Sequence, residues 1–127
     1  MSRFQTLTPS SLSREDFVTV FADIYEHSPW VAEKAFDLGR DDSINEINGL
    51  HQRMADLLLS ASHATQLALI NAHPDLAGKA AVRGELTASS TSEQAGAGIH
   101  ACTAEEFARF TELNDAYKAK FGFPFIM

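Results

Sequence analysis

Cysteine is nearly absent: Cys102 is the only one in 127 residues. A lone cysteine forms no internal disulfide, which excludes a disulfide-built secreted scaffold, and it cannot assemble a thiolate zinc site. Positive charge is scarce as well, with 10 Lys+Arg against 17 Asp+Glu and a formal net charge of −7. Nucleic acid and anionic membrane surfaces call for a surplus of cations on one face, so neither is expected as a partner. No apolar run approaches the roughly 20 residues of a membrane-spanning helix. The opening MSRFQTLTPSSL lacks the basic-then-apolar order of a secretory signal, so a cytoplasmic protein is expected. The five histidines show no HExxH spacing, and no metal is expected. Gly78-Lys79 lies outside any phosphate-binding G-x-x-x-x-G-K-[ST], and no G-x-S-x-G elbow occurs. Gly96-Ala97-Gly98 lacks the preceding strand of a dinucleotide site, and close helix packing is its expected use. Strand alternation, internal repeats and linkers are also missing.

What is present is helical periodicity. Ser13 followed by Asp16 reads as an N-cap with an acidic N3 residue, and Phe17, Val20, Phe21 and Ile24 then share one face. That helix should end near His27. Ser28 should cap a second helix with Pro29 at its first position, carrying Trp30, Val31, Ala35 and Phe36 and ending at Gly39. Asp42 or Ser43 should open a longer helix with Ile44, Ile47, Leu50, Met54, Leu57 and Leu58 on one face; Asp41-Asp42 itself reads as a solvated turn. A shorter helix over Thr65–Ala72 must end close to His73, because the residue before Pro74 is pushed out of the α region. From Pro74 to Ser92 the periodicity fails and a loop with one short helical turn is expected. It returns with EQAGAGIHA. In the last segment Thr103-x-x-Glu106 is a capping box, and Phe107, Phe110, Leu113, Asn114 and Tyr117 form a stripe suited to core or dimer contact. Lys118 and Lys120 complement the dipole at its C-terminal end. The expected fold class is therefore all-α, a single-domain compact bundle of about six to eight helices over residues 1–127, a length sufficient for a real core.

Two places depart from these local rules. Asn71-Ala72-His73-Pro74-Asp75 is a helix end at which side chains can face a cleft. Histidine is the side chain whose ordinary pKa lies nearest neutrality, which makes His73 the first candidate for proton transfer. A helix-terminal histidine that only meets the last carbonyls is the plain alternative, and Asp75 could be a simple turn former. The second place is Leu86–Gln94. Ser90-x-x-Glu93 and Thr91-x-x-Gln94 both spell capping boxes, and a helix start there could be a cap and an anion site together. An acidic protein handling an anionic small molecule needs such local dipoles, since its overall field is unfavourable.

Taken together, HPDLAGKAA (73–81), LTASSTSEQAGAGI (86–99) and FGFPFIM (121–127) resemble the 2-oxo-4-hydroxy-4-carboxy-5-ureidoimidazoline (OHCU) decarboxylases of urate catabolism, in the same order and over essentially the whole chain. The resemblance implies an all-helical fold, a homodimer, no cofactor and a small anionic purine-derived substrate that loses CO2 to give (S)-allantoin. It also implies site residues. His73 matches the catalytic proton donor, and Pro74 its substrate-contacting neighbour. Ser90, Thr91, Ser92, Glu93 and Gln94 match the substrate-binding segment, with Glu93 the second catalytic residue. Phe125, Ile126 and Met127 match the start of a further binding segment. Family members continue past FPFI with a last helix and a basic residue that reaches the site. Since this sequence stops at Met127, the expectation is a bundle lacking its C-terminal helix, with a pocket open on one side.

The chemistry suits those residue types. Loss of CO2 leaves an electron pair that must spread into the adjoining ring, followed by C–H bond formation on one face. That asks for a positioned acid, His73, and for a carboxylate, Glu93, to orient the histidine or the substrate hydroxyl. The competing reading is a catalytically weak helical module that binds a metabolite or a partner protein. A thiol enzyme using Cys102, beside the cap Thr103, is the third reading, against which stands an ordinary small apolar residue.

Overall fold

A computed structural model describes residues 2–77 and 87–126. Among them are six α-helices and no strand: α1 (Arg14–Phe21), α2 (Trp30–Asp37), α3 (Ile47–Leu59), α4 (His63–Asn71), α5 (Ala88–Gly96) and α6 (Ala104–Phe121), with short 3-10 turns between. The all-α class expected from periodicity is what forms. No described helix is long and apolar enough to cross a membrane. Contacts group the chain into two compact units, one running to Leu69 and one from Ile70 onward.

In the first unit α1 begins as its sequence predicts, with the Ser13 hydroxyl accepting the Asp16 N–H at 3.1 Å. The α-helix itself stops at Phe21 and continues as a 3-10 turn over Ala22–Ile24, so Ile24 falls outside the buried stripe and is 59% exposed. Pro29, not Ser28, occupies the N-cap of α2, with no side-chain cap bond. Its fixed φ already lies in the helical region, so the ring starts the helix without the hydroxyl. The segment expected to open the long helix at Asp42 or Ser43 is instead a 3-10 turn, Asp42–Asn45, capped by Asp41. The α-helical part starts at Ile47. Buried Asn45 explains the break. Its amide nitrogen donates to Ser10 Oγ at 2.8 Å and Asp42 Oδ1 at 3.1 Å, and its Oδ1 accepts the Ser10 N–H at 2.9 Å. A regular α-helix through this position would have to give up that set of bonds.

Phe17, Val31, Ala32, Ala35 and Ile44 are fully buried. Phe17 packs at 4.8 Å from Phe21 and 5.4 Å from Phe36, centroid to centroid. Around them Leu50 and Met54 of α3 and Leu69 of α4 complete one core. Gly49 is essential to this approach, because a Cβ there would overlap the Ser43 carbonyl oxygen. Arg53 closes the end of α2, donating through one terminal nitrogen to the carbonyls of Ala35 and Gly39 and through the other to Asp41.

On the surface Arg3 makes a two-bond fork with Asp42, at 2.7 and 3.0 Å. The guanidinium, with Asn45 second, holds the Asp42 carboxyl well below the usual carboxylate range. A carboxyl depressed in the folded state stabilises above its unfolded pKa and ceases to do so as pH falls through the folded value. Asp42→Asn should therefore lose less stability than the parent on acidification from about pH 5 to pH 2. Urea midpoints at the two pH values check this, and equal losses in both proteins would refute it.

Candidate functional site

The second unit contains the residues that sequence reasoning singled out, and it is built around the end of α4. His73 lies two residues beyond that helix and is half-buried. Its backbone N–H and its ring Nδ1 both meet the Ile70 carbonyl oxygen, each at 3.2 Å. A carbonyl only accepts, so Nδ1 is the donor in this contact, and a proton given up in chemistry while the contact is kept leaves from Nε2. This is the helix-terminal contact anticipated as the plain reading of His73. It is equally what orients an acid, since a fixed tautomer aims the reacting nitrogen.

Beyond Pro74 the chain turns through Asp75, Leu76 and Ala77, and helices α5 and α6 hold each of the three. Lys118 Nζ donates to Asp75 Oδ2 at 2.6 Å. Asn114 Nδ2 donates to the Leu76 carbonyl at 2.8 Å. The Gln94 amide oxygen accepts the Ala77 N–H at 3.0 Å, while its nitrogen reaches the Asp75 carbonyl at 3.5 Å. Ala77 is buried at a positive φ of 49°, a conformation unfavourable for any residue with a Cβ. Such a backbone persists only when its surroundings fix it, and here the Gln94 bond does so. Asp75 is thus an ion-pair partner as well as a turn residue.

Helix α5 corrects the sequence reading of 74–92. Part of that stretch, 78–86, lies outside the described residues, but Ala88–Ser92 is helix. Neither Ser90 nor Thr91 is the cap. Thr87 is, its hydroxyl accepting the Ser90 N–H at 3.2 Å. Starting earlier places Ser90 and Gln94, four residues apart, together on the buried face, 5% and 7% exposed. Thr91, Ser92 and Glu93 are exposed, Glu93 flanking Gln94 at the edge of the buried face. At the other end Gly96-Ala97-Gly98 is not a packing contact, because added Cβ atoms at Gly96 and Gly98 would meet nothing within 4 Å. Gly98 sits at φ 78° and terminates the helix in the left-handed conformation, its real reason for being glycine.

Helix α6 begins with the capping box that its sequence predicts, Thr103 and Glu106 each bonding the other's backbone N–H. Of its expected stripe, Asn114 is the buried member, whereas Leu113 is half-exposed. Cys102 is half-buried and free. Gly122, at φ 78°, ends α6 and turns the chain back, so that Phe123 and Phe125 lie 5.9 and 5.4 Å from the Tyr117 ring. Phe125 and Ile126 are each 44% exposed, and Met127 lies outside the described residues. No group of three His, Cys, Asp or Glu suited to a metal occurs among the described residues. The first unit has an open cleft of about 400 Å³ lined by His27, Ser28, Trp30, Ala64, Thr65, Ala68 and Leu69, none of them an expected site residue.

Sequence reasoning missed Asn114 and Lys118. The signal was available: an amide inside an apolar helical stripe, followed at i+4 by a lysine, marks one helix face that must satisfy something polar.

Fold and site define a constellation on helices, a histidine turn gripped by polar side chains. The profile of the OHCU decarboxylase family matches residues 10–127. The OHCU decarboxylase of Halalkalicoccus jeotgali is 40% identical over 127 residues, all of this chain and 68% of the relative. That of Haloferax volcanii is 40% identical over 116 residues, 91% of this chain and 65% of the relative. The uric acid degradation bifunctional protein of Bacillus subtilis is 32% identical over 118 residues, 93% of this chain and 22% of the relative. The chain belongs to the OHCU decarboxylase family, and so to a class of carbon–carbon lyases of urate degradation. It spans about two thirds of the length of the single-function relatives it matches.

Proposed function

We propose that the protein decarboxylates OHCU to (S)-allantoin without a cofactor, with His73 as proton donor and Glu93 as its partner carboxylate. The observation that carries this reading is the doubly fixed His73, whose backbone N–H and Nδ1 both bond Ile70 O. The bond to the departing carboxylate breaks, CO2 leaves, and the electron pair enters the adjoining ring C=N. The ring nitrogen then takes up one proton and the ring carbon that becomes the stereocentre another, the latter on one face, while the neighbouring hydroxyl releases its own as it becomes a carbonyl. One proton is taken up overall, and Nε2 of protonated His73 is its source. Glu93, solvent-exposed at the edge of the α5 face that carries Gln94, orients the substrate hydroxyl and accepts its proton.

Substrate contacts in this reading come from Pro74, from Ser90 to Gln94 and from Phe125, Ile126 and Met127. The acidic chain holds its anionic substrate through local donors rather than through net charge. A homodimer in the cytoplasm goes with the same reading, and sedimentation of the purified protein tests the dimer.

The deciding experiment supplies freshly generated OHCU and follows the chirality of the allantoin formed. Enzymatic turnover gives one enantiomer, whereas a racemate at the uncatalysed rate refutes the activity and favours a binding module of the same fold. Glu93→Gln keeps the shape and removes the base, so it should lower kcat by about 100-fold or more. Parental kcat in this variant would remove Glu93 from the reaction.

A further inference from the structure

The turn after His73 is held more tightly than a turn of its length requires. Its three residues 75–77 receive four side-chain hydrogen bonds, two from Gln94 of α5 and one each from Asn114 and Lys118 of α6. Asn114 and Lys118 are four residues apart, hence on one face of α6. The Lys118–Asp75 contact is a short charge-assisted bond between half-buried groups. Asn114 is itself buried, 6% exposed, with its amide committed to the Leu76 carbonyl. On the other side His73 is tied back to Ile70. Pro74 joins the two anchors and has only one soft backbone torsion, because its φ is fixed. His73 therefore stands between two fixed points, and its ring direction depends on both.

From this geometry we infer that Lys118 and Asn114 are positioning residues. Acting through the Asp75–Ala77 turn, they set the direction of the His73 imidazole without touching substrate. The inference rests on the proposed role of His73 as acid. Lys118 is unsuited to bind the substrate carboxylate as a free cation, because its ammonium is paired with Asp75. Misdirecting an acid by about 1 Å costs on the order of 100-fold in rate while leaving binding groups in place.

The test uses the purified protein with Lys118→Met, Lys118→Arg and the isosteric Asp75→Asn, each checked for a cooperative unfolding transition. Lys118→Met and Asp75→Asn should lower kcat about 10- to 100-fold with KM changed less than about threefold. Lys118→Arg, which keeps the charge and the donor, should recover most of the rate. A rise in KM at unchanged kcat would instead make Lys118 a substrate ligand and overturn the inference, as would parental kcat in a folded Lys118→Met or Asp75→Asn protein. A second readout needs no turnover: the ring ¹⁵N resonances of His73 report its tautomer. They should show the Nδ1–H form in the parent and a mixture of tautomers in Lys118→Met. An unchanged Nδ1–H signature in that variant refutes the positioning role. If the parent gives only racemic allantoin, the proposed function fails, and the ¹⁵N result still decides whether the clamp directs the ring.

Discussion

Replacing His73 by asparagine should reduce enantioselective OHCU turnover by about 100- to 10,000-fold, the range over which a positioned general acid contributes. Asparagine is the informative choice. Its amide nitrogen can still donate to the Ile70 carbonyl that now accepts from Nδ1, so the turn keeps its anchor while the titratable group is lost. Folding should accordingly be little affected, because His73 is only half-buried and its backbone N–H bond to Ile70 remains. Steady-state kinetics with chiral analysis of the product, paired with thermal unfolding, separates the two effects. Parental kcat in a folded His73→Asn protein would exclude the histidine as acid. A lowered melting temperature with kcat intact would reduce it to the plain helix-end role.

The largest expected effect on stability comes from a position in the first unit. Gly49→Ala should destabilise the protein by about 3 kcal/mol or more, since overpacking against backbone has no side chain that can swing away. The added methyl would overlap the Ser43 carbonyl oxygen, and Ser43 belongs to the 3-10 turn that is fastened by Asn45. Either α3 moves off that turn or the turn unwinds, and both expose Ile44 and Leu50, which are now buried. For a domain of this size the loss corresponds to a fall in melting temperature of about 10 °C. Helix propensity alone predicts the opposite sign, alanine being better than glycine inside a helix by about 1 kcal/mol. Calorimetry thus decides between local propensity and tertiary contact, and a stabilised Gly49→Ala protein would mean that the approach of α3 to residue 43 is not close.

The opposition at Gly49 holds for the molecule in general. Several structural choices that depended on neighbours in the sequence were announced by the residues. The caps at Ser13 and Thr103, the end of α2 at Gly39 and the exit from α4 before Pro74 are local events, governed by which N–H or carbonyl lacks a partner within one turn. The resemblance that pointed to the family also rested on contiguous residues, 73–81, 86–99 and 121–127. Other choices involved partners far along the chain. Thr87 prevails over Ser90 and Thr91 as the cap of α5 because Ser90 and Gln94 are needed on the buried face, with Gln94 reaching Ala77, 17 residues away. Asn45 interrupts a helical pattern to bond Ser10, 35 residues earlier. Lys118 reads as a dipole partner until the turn at Asp75, 43 residues back, comes within 2.6 Å of it.

Read along the chain alone, the residues specify an all-α protein without a disulfide, a metal motif or a surplus of positive charge, and three motifs that resemble the OHCU decarboxylases. Those are properties of composition and of short-range order. Only the tertiary structure decided that the histidine turn is gripped from two helices, that Gln94 and Asn114 face inward, and that Ala77 is held in a conformation it would not otherwise adopt. The physical reason is that a polar side chain inside a helix can satisfy its hydrogen bonds in water or in the protein. Helical spacing is the same in both cases, and the partner is chosen only when distant segments are folded together.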